Sequence, residues 1–242
     1  MLIRGSMMEK LELLCLPYAG SSAIVYGSWK NQLHSDIALR MVEFSGRGRR
    51  YEEPLLDSVA GMVDDLYVHL RLEQQDRPYA FFGHSLGAIL AYELVQRLID
   101  ENKRLPEHIF LSGQTAPHKK EQYRIDHELD DPSFIKEILK LGGTSSEVFE
   151  NVELSNLFLP VIRNDIKAAN TYRYVERNKI NVQVSVLFGD NDPLSNDFSD
   201  YGEWNIHTSV KCKLLEFKGG HFFIHDHKEQ VIRYVNETLA GK

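Results

Sequence analysis

Gly83-His84-Ser85-Leu86-Gly87 is a G-x-S-x-G sequence, placed between an apolar run, Tyr79 to Phe82, and a helical pattern that opens at Leu86. A serine hydroxyl attacks a carbonyl only when a base removes its proton and donors stabilise the resulting oxyanion. A tight turn from strand to helix suits both needs. It lifts Ser85 above a sheet and leaves the Leu86 N–H free at a helix N-terminus. Glycine is needed at 83 and 87 because the turn has no room for side chains there. The competing reading is a serine that merely caps a helix; the strand in front of it disfavours that reading.

The base and its orienting acid should lie downstream, because hydrolases built on such an elbow run Ser, then Asp or Glu, then His. Val182 to Phe188 reads as a strand, and Gly189-Asp190-Asn191-Asp192-Pro193 follows it. Asp192 is the preferred acid. Asp190 is the rival, unless it serves the turn through its own side-chain hydrogen bonds. After the next strand, Lys213 to Phe217, comes Gly219-Gly220-His221-Phe222-Phe223. Among the ten histidines only His221 combines chain order, a strand end and a glycine turn. The second oxyanion donor belongs in the loop after the first strand, Pro17 to Ser22, with Ala19 N–H preferred and Tyr18 next. That loop could also be an ordinary Gly/Ser turn. Together these groups describe acyl transfer through an acyl-serine.

Positioning them requires a sheet. Strands are expected at Leu11–Leu16, Ala38–Phe44, Tyr79–Phe82, His108–Ser112, Val182–Phe188 and Lys213–Phe217. Helices are expected at Ile24–Leu33, Ser58–Leu72, Leu86–Asp100, Asp200–His207 and Lys228–Leu239. Alternation of this kind implies an α/β protein with a mostly parallel central sheet flanked by helices. Residues 1–242 read as one such domain. From 113 to 180 the alternation stops, and only helical patterning remains, including Asp130–Leu141 ending at Gly142-Gly143 and an apolar run, Leu154–Ile162, containing Pro160. A helical insertion rich in apolar residues between two strands suggests a lid over the site. A helical subdomain that only packs on the core is the alternative.

Composition narrows the class. The chain has 242 residues, 43% of them hydrophobic, and a net charge of -7, which disfavours general nucleic-acid binding. No stretch approaches the roughly 18 apolar residues of a membrane span. Met1 to Lys10 lacks the apolar core of a secretory signal, and Met7 and Met8 offer alternative starts. Cys15 and Cys212, both in apolar runs, read as buried free thiols in a cytoplasmic protein. No metal site is expected.

These motifs resemble the type II thioesterases of non-ribosomal peptide and polyketide synthesis, relatives of the medium-chain thioesterase of fatty acid synthesis. The likeness rests on Pro-Tyr-Ala-Gly at 17–20, Gly-Arg-Gly at 46–48, the elbow at 83–87 and Gly-Gly-His-Phe-Phe at 219–223. Leu-Gly-Gly-Thr at 141–144 and Leu-Pro-Val-Ile-Arg-Asn-Asp at 159–165 resemble the family's lid signatures, and the likeness spans about residues 10 to 240. Ser21 and Ser45 depart from it, standing where the family often has glycine and proline. The resemblance implies an α/β-hydrolase fold and a stand-alone, cytoplasmic, monomeric enzyme. It would hydrolyse acyl groups from phosphopantetheinyl carrier proteins, with no cofactor of its own and no nucleic-acid or membrane partner. It assigns Ser85 as nucleophile, Asp192 as acid, His221 as base, and Ala19 and Leu86 as oxyanion hole. The arginines at 47, 49 and 50 are expected either to dock the acidic carrier or to form a solvated charge run, and Arg163 with Asp165 to pair within the lid. A general carboxylesterase, an acyltransferase and a non-catalytic carrier-protein binder remain as alternatives.

Overall fold

The computed structural model describes residues 10–119, 124–195 and 198–240; the expectations for the first nine residues lie outside it. Six strands form one sheet: β1 Leu11–Leu16, β2 Ile37–Met41, β3 Tyr79–His84, β4 His108–Ser112, β5 Gln183–Gly189 and β6 Lys213–Phe217. Their order is β2-β1-β3-β4-β5-β6, and every neighbouring pair is parallel. Parallel pairing demands crossovers. The one from β1 to β2 carries a 3-10 helix, and the others carry α1 Val59–His69, α2 Leu86–Asp100, α3 Asp131–Leu141, α4 Glu147–Glu150, α5 Val152–Thr171 and α6 Phe198–Gly202. The chain finishes on α7 Phe223–Asp226 and α8 Lys228–Leu239.

Both faces of the sheet centre are covered, so β3, β4 and β5 are buried nearly throughout, while the edge strands β2 and β6 are only half-buried. One core joins Leu14, Phe81, Ile109 and Val186 to α1 and α2. The other joins Leu13, Phe82 and Phe110 to Trp29 and to Val231, Ile232 and Val235 of α8. Helix α2 is buried along most of its length. Its polar residues are satisfied: Glu93 accepts from the Tyr172 hydroxyl at 2.6 Å, and Gln96 donates to the Asn178 carbonyl at 3.2 Å.

Several expected elements differ, among them these. The first helix is a 3-10 helix, Ala23–Asn31, whose buried residues Ala23, Tyr26 and Trp29 recur every third position, the period of that helix. The stretch expected at Asp200–His207 splits into α6 and a 3-10 turn, Glu203–Ile206, with Gly202 at the junction. Strand β2 ends at Met41; Val42 still bonds Cys15, N–H to carbonyl at 3.0 Å, before the chain turns away.

Between β4 and β5 the described residues form α3, α4 and α5 and only an isolated bridge, Ile180 to Thr208. Helix α3 starts where Asp130 accepts the Ser133 N–H, and α5 where Asn151 accepts two amides. Phe134 and Ile138 of α3 meet Leu159 and Ile162 of α5 in a third, smaller core. Among the described residues no helix is long and apolar enough to cross a membrane.

Candidate active site

The strand order reverses beside β1: the chain runs outward from β1 to β2, then returns to β3 on the other side. Such a switch point leaves a crevice at the carboxyl ends of the strands. Leu16 at the end of β1 is in register with Gly83 of β3, so the loop after β1 emerges beside the elbow.

Ser85 sits at φ 54° and ψ −117°, a conformation few residues other than glycine adopt. Its N–H donates to the Ser112 carbonyl at 2.8 Å, which anchors the elbow on β4. A Cβ on Gly83 would stand 2.1 Å from the Gly87 carbonyl oxygen, and one on Gly87 would stand 2.3 Å from that of Leu16. The second contact explains how the first loop can approach the start of α2. Ala19, Ser85, Leu86 and His221 line one cavity. Neither the Ala19 nor the Leu86 N–H makes a hydrogen bond among the described residues.

His221 and Asp192 are both buried, and His221 Nδ1 lies 2.8 Å from Asp192 Oδ2. A carboxylate at Nδ1 selects the tautomer with its proton there and leaves Nε2 as the base. The Leu194 N–H donates to Asp192 Oδ1 at 2.9 Å, and the Tyr201 hydroxyl donates to Oδ2 at 3.3 Å. Burial, reinforced by the Asp192 charge, pushes the Tyr201 phenol well above its usual range, so it stays a donor. Tyr201 had no signal in the sequence, because α6 reaches the site only through folding. The rival Asp190 serves the turn instead. It accepts from Lys218 Nζ at 2.7 Å and from the Gly219 N–H at 2.9 Å, and the lysine holds its carboxyl below the ordinary range.

Ser85 Oγ makes no hydrogen bond among the described residues. Next to it, His84 is fully buried; its Nδ1 lies 2.9 Å from Ser112 Oγ and its ring centre 5.0 Å from that of His221. Burial, with the neighbouring His221 second, drives its pKa well down, so the imidazole stays neutral. Tyr18 packs edge-on against His84 and Phe222, and its hydroxyl lies 3.1 Å from His225 Nε2.

The rest of the cavity is mainly apolar. Ile138 and Leu141 of α3, Ile162, Ile166 and Ala169 of α5 and Ile89 of α2 line it. The helices between β4 and β5 therefore contribute to the site directly. Two expectations about charged residues are corrected. Arg47 and Arg50 are buried, the first against Asp165 and the second against Asp65 and Glu53, so only Arg49 of that cluster is exposed. Arg163 does not pair with Asp165: it donates to Asp131 and to the carbonyls of His127 and Leu129. Apart from Arg50–Glu53, three residues apart, these pairs join separate chain segments, which local spacing could not reveal. Among the described residues no cluster of three or more His, Cys, Asp or Glu is placed to hold a metal ion.

The model of the thioesterase domain family matches residues 11–239. The chain is 35% identical over 229 residues to the thioesterase PikA5 of Streptomyces venezuelae, covering 95% of this chain and 81% of the relative. Among solved structures it superposes on ClbQ, from the colibactin non-ribosomal peptide and polyketide pathway, with a TM-score of 0.89 at 37% identity, covering 95% of this chain and 97% of ClbQ. It superposes on BorB, the type II thioesterase of the borrelidin cluster, with a TM-score of 0.86 at 33% identity, covering 98% and 95%.

Proposed function

The chain belongs to the thioesterase family, and we propose that it hydrolyses acyl thioesters carried on the phosphopantetheine arm of synthase carrier proteins. The observation that carries this reading is the buried His221–Asp192 pair opening on the cavity that Ser85, Leu86 and Ala19 also line. The named relatives from peptide and polyketide pathways support the choice of a carrier-bound substrate.

His221 Nε2 takes the proton of Ser85 as Oγ attacks the thioester carbonyl. Asp192, steadied by Tyr201 and the Leu194 amide, keeps the ring in place and stabilises its charged form. The amides of Ala19 and Leu86 receive the oxyanion, and one such donor is typically worth about 3 kcal/mol. The protonated imidazole then gives its proton to the departing thiolate. In the second half His221 takes a proton from water as its oxygen adds to the acyl-serine carbonyl, and the imidazolium returns that proton to the departing Ser85 Oγ, releasing the acid and restoring Ser85 and His221. No cofactor of the protein's own enters these steps; the phosphopantetheine arrives with the substrate. Helices α3 and α5 act as the lid that holds the acyl chain and excludes bulk water. The enzyme works as a monomer in the cytoplasm.

The test compares hydrolysis of a short acyl-phosphopantetheinyl carrier protein, the matching acyl-pantetheine and a simple oxygen ester, with Ser85→Ala as control. Faster cleavage on the carrier, abolished by Ser85→Ala, supports the reading. Preference for the oxygen ester, or indifference to the carrier, would leave a general esterase.

A further inference from the structure

Asp165 lies in α5 with 0% of its surface exposed, and Arg47, which it faces, has 6%. Arg47 Nη2 donates to Asp165 Oδ1 at 2.7 Å, and Nη1 donates to Oδ2 at 2.5 Å. Oδ2 also accepts the backbone N–H of Gly20 at 2.7 Å, while Arg47 Nη1 donates to the Ser21 carbonyl at 3.2 Å. The pair therefore grips two successive residues of the loop after β1. A further bond, from the Ser21 N–H to the Tyr18 carbonyl at 3.1 Å, closes that turn. All described peptides are trans, so a Tyr18 carbonyl turned toward Ser21 directs the Ala19 N–H the opposite way. Helix α5 leaves no slack here: a Cβ on Gly20, at φ 77°, would stand 2.4 Å from Ile162 Cγ1.

A buried ion pair is rarely more stabilising than a well-packed apolar pair of the same volume. An apolar pair here would strand the Gly20 amide and the Ser21 carbonyl, which the charged pair satisfies. We propose that Arg47 and Asp165 are positioning residues for the oxyanion hole, through which α5 sets the direction of the Ala19 N–H. Neither touches the substrate. The inference rests on the acyl-transfer reading, with Ala19 as one of the donors. It makes α5 the fixed side of the lid.

Two double variants isolate the contact. Arg47→Met/Asp165→Asn and Arg47→Met/Asp165→Leu both remove the ion pair without leaving a lone buried charge. Only the first keeps an oxygen acceptor for Gly20. Turnover of an acyl-pantetheine and of an aryl acetate is measured with the affinity for an alkyl boronic acid, which forms a tetrahedral adduct on Ser85, and with the melting temperature. The expected result is a kcat ten- to a hundredfold lower in the Leu double than in the Asn double, at similar KM, with boronate affinity falling by the same factor. Arg47→Lys, which keeps the charge and loses the fork, falls between wild type and the Leu double in kcat. Equal kcat and equal boronate affinity in the two doubles, or losses that track the melting temperature alone, overturn the proposal. The boronate and aryl acetate arms need only a serine hydrolase, so failure of the carrier-protein reading shows separately as a poor wild-type rate on the acyl carrier.

Discussion

His84 Nδ1 and Ser112 Oγ lie 2.9 Å apart across the register that pairs their two residues on β3 and β4. The bond holds a buried imidazole against the face of His221, one residue before the nucleophile. The space is closed on the far side, where a Cβ on Gly113 would come within 2.6 Å of the ring. Ser112→Ala strands a buried ring nitrogen and is expected to cost about 1–3 kcal/mol in urea denaturation. Hydrolysis should survive within about tenfold, because the His221–Asp192 bond is untouched. A stability unchanged from wild type would show that the serine does not hold the ring.

The two aspartates of the β5 turn should separate cleanly. Asp192→Asn leaves the shape of the site but favours the wrong imidazole tautomer, and kcat should fall by about four orders of magnitude. Asp190→Asn keeps the turn and loses only the exposed contact to Lys218, so kcat should stay within a few-fold. Comparable losses in both would argue against Asp192 as the orienting acid.

Acid should weaken the fold before the carboxylates titrate. Burial, with the charge of His118 second, lowers the pKa of His207 to about 4, and burial lowers those of His84 and His225 as well. Unfolded histidine titrates near pH 6.5. Below that value the unfolded chain takes up protons that folded His207 refuses until about pH 4. Stability from these groups is thus fully present above about pH 6.5 and is lost as pH falls toward 4. Melting temperatures between pH 7.5 and 4.5 should decline, and His207→Gln should flatten the decline. Parallel curves for the two proteins would contradict this.

Both thiols should be silent in the native state. Cys15 and Cys212 are buried, and burial raises both pKa values, so little thiolate forms or meets reagent. A thiol-specific disulfide reagent should label neither until denaturant is added, and then two per chain. Rapid native labelling of either would mean that its strand end opens readily.

Much of the site was legible because its parts are local. The elbow needs a strand, two glycines and a helix start within a few residues, and all of these stand in order at 79–87. Strands β1, β4 and β6 were readable to the residue; β1 and β4 are covered on both faces and nearly continuous in apolar residues, and β6 is a short run bounded by the Gly219-Gly220 turn. The first helix misled because its buried residues fall three apart, a spacing that an α-helix nearly shares.

By itself, then, the sequence determined the order of the chemistry: a serine on an elbow, an acid after one strand, a histidine after the next, and an apolar insertion between. The sequence already preferred Asp192 to Asp190; the tertiary structure added the reason, since the turn directs Asp192 at His221 and Asp190 at the Gly219 amide. The partners of Arg47, Asp165, Arg163 and Tyr201 took the tertiary structure. Arg47 and Asp165 stand 118 residues apart and Arg163 and Asp131 32 apart, and even Tyr201, nine residues from Asp192, meets it only once α6 has folded back. In the buried bonds, Arg47 to Asp165 and Tyr201 to Asp192, the side chains satisfy one another because burial leaves no water to bond instead.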